Sequence, residues 1–424
     1  MQERTAMKVH PEDAARRATT RPTEPRPRPL VDEVLRLVWR ERQISRAEIA
    51  CRLDLSRSTV SEIVSTLLRT GLVAEVGTGP SGGGRRPIVL QFQDDACGIL
   101  GVDMGAAHVA VAHTDLRGHV LAWKDRRHPV RSDPVGTRAL VAELCAAALG
   151  SSRRRARRLV GIGVAVPSPV DPHHPDRLSE LVLPAWQGHH GLEPVGERYK
   201  VPLWIDNDAN LGALAEGWWG AGRGVQDFAY IKVATGIGSG HVIQGKIYRG
   251  ATGVAGEIGH LAIDPHGGPC ICGLRGCLAT FVGQAALLAR AREILADGAT
   301  SILTAQDITI PALEEAALAG DPLALQVVRE AAEYLGIAVA GLLNLMNPAL
   351  VILGGDLAPL GELLLQPLRE TVARRTLVSS IAAAEVRTSE LNAQAVAVGA
   401  ATMVLEAALA DSRLYPAAAR RVEA

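Results

Sequence analysis

The residues best equipped for chemistry lie together in GHLAIDPHGGPCICGLRGCLA, 259–279, where His260 and three cysteines share a loop rich in glycine and proline. Cys270, Cys272 and Cys277 offer three thiolates and His260 an imidazole, the full donor set of a four-coordinate structural zinc site. Four protein ligands leave no position open for water, so the metal would fix a loop and not activate a nucleophile. Gly267, Gly268, Gly273 and Gly276 let the backbone wind closely around an ion. A redox pair at Cys270 and Cys272 is the rival reading, but a thiol switch has no need of the histidine or of so much glycine. Cys51, Cys97 and Cys145 fall in regular segments and read as small apolar core residues.

A scaffold must carry that loop, and the chain is patterned in three parts. Residues 1–28 mix Arg, Pro, Glu and Thr with few apolar side chains and are expected to form a disordered tail. From Leu30 the spacing of Leu30, Val31, Val34, Leu35 and Val38 predicts an amphipathic helix. Ser45 and Glu48 make a capping-box pair that opens a second helix from Arg46 to about Leu53, and Ser56 can cap a third. That third helix buries Val60, Ile63, Val64, Leu67 and Leu68 and turns Arg57, Ser58, Thr59 and Ser61 outward, groups suited to base edges and phosphates. Two strand-like runs, 72–76 and 88–92, flank GTGPSGGGRRP, a flexible link ending in Arg85 and Arg86. Residues 29–93 are therefore expected to be a winged helix-turn-helix that meets DNA through these residues. A helical bundle for protein contacts is the blander reading of the same pattern.

From Gly98 the pattern becomes α/β: GILGVDMGAAHVAVAHTD reads as strand, glycine turn and strand, and LVGIGVAVPSPV and VPLWIDNDAN as strands running into loops. Residues 97–220 form an expected first lobe and 221–412 a second, with a last helix at about 394–410 free to pack back on the first. Composition agrees with several buried cores: 424 residues, 47% hydrophobic, only 3% aromatic. Residues 1–90 carry 16 Lys and Arg against 11 Asp and Glu, and the rest carries 29 against 34, so the front is basic and the body acidic. The N-terminus lacks the apolar core of a signal peptide, and the apolar run 335–353 is broken by Asn344, Asn347 and Pro348, so the expectation is a cytoplasmic protein without a membrane span.

The loop spacing His-x9-Cys-x-Cys-Gly-x2-Gly-Cys, led by GEIGH at 256–260, resembles the signature of the family of repressors, open reading frames and kinases shortened to ROK. The resemblance runs from about residue 30 to residue 410. It implies an actin-like, sugar kinase/ribonuclease H-like ATPase fold with two lobes around a cleft, here joined to a DNA-binding head as in the family's sugar-responsive regulators. It further implies that Asn207 binds sugar hydroxyls, that Asp208 takes the proton if kinase activity is retained, and that Glu257 and His260 face the sugar. Asp208 as a plain helix cap and His260 as a metal ligand only are the simpler alternatives. The phosphate loops implied are Asp103 with Gly105, and Thr235, Gly236 and Gly238.

Several positions depart from the family pattern. Where its kinases read D-x-G-G-T, this chain has Asp103-Met104-Gly105-Ala106-Ala107, losing a glycine and a hydroxyl donor, and Ala279 stands where a sugar-binding carboxylate is usual. These losses weaken a transition-state clamp more than a receptor. The expected function is a transcriptional regulator, a repressor of carbohydrate genes, with structural zinc, operator DNA and a sugar or sugar derivative as partners, acting as a dimer or dimer of dimers. The alternative is an ATP-dependent hexose or N-acetylhexosamine kinase using Mg-ATP. The arginine run at 151–159 reads as a solvated face, and Trp218 and Trp219 as packing at a helix end more than as a sugar platform.

Overall fold

A computed structural model describes residues 30–78, 87–151, 158–376 and 384–416. The expected tail 1–28, both wing arginines Arg85 and Arg86, and most of the run 151–159 lie outside the described residues.

The N-terminal module consists of α1 (Leu30–Glu41), β1 (Gln43–Ser45), α2 (Arg46–Arg52), α3 (Arg57–Thr70), β2 (Val73–Thr78) and β3 (Ile88–Phe92). Its helix starts follow the local chemistry: Ser45 and Glu48 cap each other's backbone reciprocally, and Ser56 Oγ accepts from Thr59 N–H at 3.1 Å. Val60, Ile63, Val64 and Leu67 face inward along α3, and Gly71 ends the helix in the left-handed region at φ 74°. The short strand β1 adds a third member to the sheet, in the order β1-β3-β2. Cys51 is exposed on α2, which corrects its expected place in the core, because the helix buries Ile49 and turns its neighbours outward.

The first lobe is built from β4 (Gly98–Gly105), β5 (His108–Thr114), β6 (Val120–Arg127), α4 (Pro134–Ser151), β7 (Leu159–Val166), α5 (Glu193–Tyr199) and β8 (Leu203–Asn207). Then comes α6 (Asp208–Trp219), followed by β9 (Phe228–Val233), β10 (Ile237–Ile243), β11 (Lys246–Tyr248), α7 (Ala279–Val282), α8 (Gln284–Ala296), α9 (Ile310–Leu318), α10 (Pro322–Met346), β12 (Leu350–Gly355), α11 (Glu362–Arg375), β13 (Glu385–Thr388) and α12 (Ala395–Ala410). The two large sheets have matching orders, β6-β5-β4-β7-β8 and β11-β10-β9-β12-β13. In each, the first three strands pair antiparallel and the last two join in parallel. The central strands β4 and β7 are buried along their whole length, which explains their continuous apolar character.

The lobes exchange helices. The last strand of the first sheet, β8, delivers α6 onto β9 and β10 of the second, and the last strand of the second, β13, is followed by α12, which lies on β4 and β7 of the first. Close seating depends on glycine: a Cβ on Gly101 or Gly163 would collide with the carbonyl oxygens of Ala397 and Ala400 on α12, and one on Gly399 with that of Leu211 on α6. The stretch Asn392–Ala410 has the length and hydropathy of a membrane span, but it is mostly buried between these layers. The module's core runs on into the first lobe, with Val34, Leu35 and Val38 in one cluster with Val404, Leu405 and Ala408 of α12.

Candidate ligand and metal site

Between the lobes lies a cavity of about 610 Å³, within the size range of small-molecule sites. It collects residues far apart in sequence: Asn207 and Asp208 at the start of α6, Thr235, Gly236 and Gly238 at the β9–β10 turn, Glu257 and His260, Cys270 and Cys272, and Gly105 after β4. Asp103 lies just behind this lining, 3% exposed.

Asn207 ends β8 and is the N-cap of α6, its Oδ1 accepting from Ala209 N–H at 3.0 Å and Asn210 N–H at 3.2 Å. Capping therefore falls to Asn207, while Asp208 borders the cleft. Asp208 Oδ1 accepts from Ala209 N–H at 2.8 Å, and Oδ2 from Lys232 Nζ of β9 at 2.7 Å. Burial alone would lower the Lys232 ammonium, but the carboxylates of Asp208 and Asp103 outweigh it and hold it well above its ordinary value. Burial pushes Asp103 upward, whereas Lys232 and His108 pull it down, and their pull prevails. His108 Nε2 lies 3.2 Å from Asp103 Oδ2.

Glu257 and His260 are set by a single turn at Ile258–His260. Gly256, at φ 98°, lets this segment pass against β10, where Ser239 N–H donates to the Gly256 carbonyl at 2.8 Å. The Glu257 carboxyl is raised by burial first and then by the nearby Asp208 charge. His260 presents two faces: Nδ1 is 3.5 Å from Cys270 Sγ, and Nε2 looks toward Glu257 Oε2 at 3.9 Å. One ring can thus serve the metal set and border the cavity together. The donor atoms of His260, Cys270, Cys272 and Cys277 all lie within 4.8 Å of one another, a set able to hold a metal ion. Burial pushes the Cys277 thiol up to about 12, so a metal taken up there displaces a proton. Gly276 makes the loop close, its N–H donating to the Gly268 carbonyl at 2.8 Å and its own carbonyl accepting from Ile263 N–H at 2.8 Å.

At the nucleotide-side turn, Thr235 Oγ1 meets Gln284 Oε1 at 3.2 Å, and Gln284 Nε2 donates to Asp356 beside Gly355. Arg57, Ser58 and Ser61 are exposed on α3, remote from the cleft, and Thr59 is half-buried with its hydroxyl 2.8 Å from that of Ser56. Trp218 and Trp219 do not line the cavity. They meet Trp39 of α1, at ring centroid distances of 5.5 Å and 6.4 Å, and Trp219 Nε1 donates to Thr402 Oγ1 of α12 at 2.8 Å. Lys232 and His108 are the site residues that sequence reasoning missed. A lysine at an inward position of the apolar run FAYIKV was the available signal for the first.

The family model described as "ROK family" matches residues 99–407, and that of the "IclR helix-turn-helix domain" matches 33–77. The chain is 33% identical over 380 residues to a xylose repressor of Caldicellulosiruptor bescii, covering 88% of this chain and 94% of that one. It is 32% identical over 381 residues to the DNA-binding transcriptional dual regulator NagC of Escherichia coli, covering 89% and 92%. Among solved structures, a ROK family glucokinase from Streptomyces griseus in complex with glucose and AMPPNP superposes with TM-score 0.62 at 28% identity, over 72% of this chain and 98% of that one. A ROK family transcriptional regulator described as a homologue of E. coli MLC shares the fold over 91% of this chain and 98% of its own, with TM-score 0.74 at 24% identity.

Proposed function

Because this chain belongs to the ROK family, we propose that it is a DNA-binding repressor of carbohydrate genes whose operator affinity is set by a sugar or sugar derivative in the interlobe cleft. The repressor names of its full-length relatives support this reading, as does its helix-turn-helix. One structural observation carries it: α6 begins at Asn207 and Asp208 in the cleft and ends at Trp218 and Trp219 against Trp39 of the DNA-binding module. A 12-residue helix is about 18 Å long and stiff, so a displacement at one end is felt at the other.

In this scheme Asn207, Asp208, Glu257 and His260 hold the ligand's hydroxyls. Zinc is the metal that best suits three thiolates and an imidazole, and bound there it would supply only a rigid floor to the cleft. Arg57, Ser58, Thr59 and Ser61 on α3, with Arg85 and Arg86 of the wing, are the proposed contacts to operator DNA. Thr235, Gly236 and Gly238 keep the form of an anion-binding turn, and Asp103 with Gly105 borders it. A protein of this kind works in the cytoplasm, and two recognition helices on a palindromic site call for a dimer.

The deciding experiment is a fluorescence-anisotropy titration of the gene's own upstream DNA at fixed salt, with D-xylose, N-acetylglucosamine and glucose among the effectors. Tight binding that one sugar shifts severalfold is expected. Absence of specific retention on that DNA at modest salt would refute the proposal.

A further inference from the structure

The floor of the cleft holds a nearly buried ion pair at the carboxylate that a phosphoryl-transfer site would leave free. Lys232 belongs to the second lobe's sheet, yet its ammonium is 2.7 Å from Asp208 Oδ2, with both side chains nearly buried. The charge of Asp103 on β4, in the first lobe's sheet, also acts on it. Beyond Asp103, the His108 ring folds back over Gly105, so closely that a Cβ on that glycine would strike it. Asp103 Oδ1 is buried with no hydrogen-bond partner among the described residues, while Oδ2 is on His108.

Transfer of a phosphoryl group to a sugar needs a carboxylate free to take the hydroxyl proton, and an anionic floor that can hold a divalent cation against the nucleotide phosphates. Asp208 is already engaged on both oxygens: Oδ1 accepts from Ala209 N–H and from Asn207 Nδ2, and Oδ2 from Lys232. The one ammonium cancels one of the two carboxylate charges, and it occupies the Asp208 oxygen that a divalent cation would need. Asp208 Oδ2 retains a lone pair, enough to accept a hydrogen bond from a sugar hydroxyl without taking its proton.

We infer that Lys232 is the specificity-determining residue of the cleft, a built-in cation that holds Asp208 in an ion pair in place of a divalent metal and makes the site a sugar receptor blind to magnesium and nucleotide. The inference rests on the sugar-binding reading given above and adds to it the residue that separates receptor from catalyst. The ammonium reaches from the second lobe's sheet to Asp208, just past the first sheet's last strand, so the counter-charge to that carboxylate is supplied by the chain itself.

The test uses the full-length protein with magnesium chloride alone, and with ADP plus magnesium, as probes in thermal unfolding and isothermal titration. The wild type is expected to show a midpoint shift below about 1 °C with either. Lys232→Met leaves two carboxylates without their cation and is expected to gain a magnesium-dependent shift of several degrees, which the double variant Lys232→Met with Asp208→Asn loses again. Lys232→Gln keeps a donor on Asp208 while removing the charge, and serves should the methionine variant fail to fold. Stabilisation of the wild type by Mg-ADP, phosphate transfer from ATP to any sugar of the panel, or a Lys232→Gln protein as indifferent to magnesium as the wild type would each overturn the inference. A wild type whose DNA binding ignores every sugar would strike the regulatory reading instead, and that outcome is scored on DNA, not on magnesium.

Discussion

Trp39 joins the DNA-binding module to the helix that starts in the cleft, and truncating it should separate DNA binding from its control. The ring lies 5.5 Å from Trp218 and 6.4 Å from Trp219 by centroid, carries the Arg117 guanidinium at 4.4 Å, and its indole N–H donates to the Leu116 carbonyl at 3.0 Å. Each aromatic pair contributes ~0.5–1.5 kcal/mol beyond its buried area, the cation–π contact ~0.5–2 kcal/mol, and the hydrogen bond ~1 kcal/mol. Since these terms share one side chain they do not add fully, and about 3 kcal/mol of junction stability is expected to go in Trp39→Ala. Trp39→Phe keeps a ring in place and should lose roughly 1 kcal/mol. The recognition helix α3 is untouched, so the alanine variant still binds operator. The sugar-induced change in affinity, which for an ordinary coupling of ~1–3 kcal/mol is ~5–150-fold in Kd, should fall toward unity. Anisotropy titrations with and without saturating sugar, at one salt concentration, measure this directly. A folded Trp39→Ala protein that keeps the full sugar response would refute the route through α6.

Stripping the metal with a strong chelator, or replacing Cys272 with serine, should loosen the loop that sets His260 and Glu257. Loss of charged hydrogen bonds worth ~1.5–3 kcal/mol weakens sugar binding by roughly tenfold or more, and calorimetry on protein of assayed metal content will show it. An undiminished affinity in metal-free protein would count against a structural role for the ion. Burial, reinforced by Asp356 and Glu315, pushes the Glu314 carboxyl up to about 7. A folded-state value above the unfolded one gives stability that is present below the ordinary carboxylate range and lost as pH rises through about 7. Glu314→Gln should therefore raise the thermal midpoint over wild type more at pH 8 than at pH 5, and equal gains at both would contradict the assignment.

The parts of the structure legible in the sequence are those fixed by local chemistry. The capping pair Ser45 and Glu48, the apolar face of α3 and the spacing of the cysteine loop each depend on residues a few positions apart, and each is found where its pattern placed it. What escaped was decided at a distance. The strand β1 has only three residues, too few for alternation to register, and exists because β3 offers it an edge. Cys51 reads as core from its place in a regular segment, yet α2 is short and buries Ile49 alone, so the thiol is exposed. The exchange of α6 and α12 between lobes is set by contacts such as Gly399 with Leu211 and Gly101 with Ala397, whose partners lie far apart in sequence. The role of Lys232 is not legible in its strand, since its partner Asp208 belongs to another element entirely.

Those long-range contacts also bear on how the two ends of the molecule communicate. The module α1 rests on both exchanged helices: Arg36 donates to the Leu409 carbonyl and Asp32 accepts from Ser412 N–H at the end of α12, while Trp39 meets the end of α6. At the α6–α12 contact Gly399 lies against the Leu211 backbone, and Leu211 and Leu214 of α6 pack with Val396 and Ala400 of α12. The C-terminal end of α6 is held more firmly. Glu216, fully buried, accepts from Ala221 N–H at 2.8 Å and Leu391 N–H at 3.1 Å and from the Ser389 hydroxyl, tying that end to the segment leading into α12. A ligand that shifts α6 at Asp208 must then pivot it about this anchor, and the side chains just past the pivot are the tryptophans on which Trp39 sits. Because α1 is fixed to α12 by bonds that the pivot does not touch, the strain of any such movement falls on the Trp39 contacts and on the Trp219–Thr402 hydrogen bond.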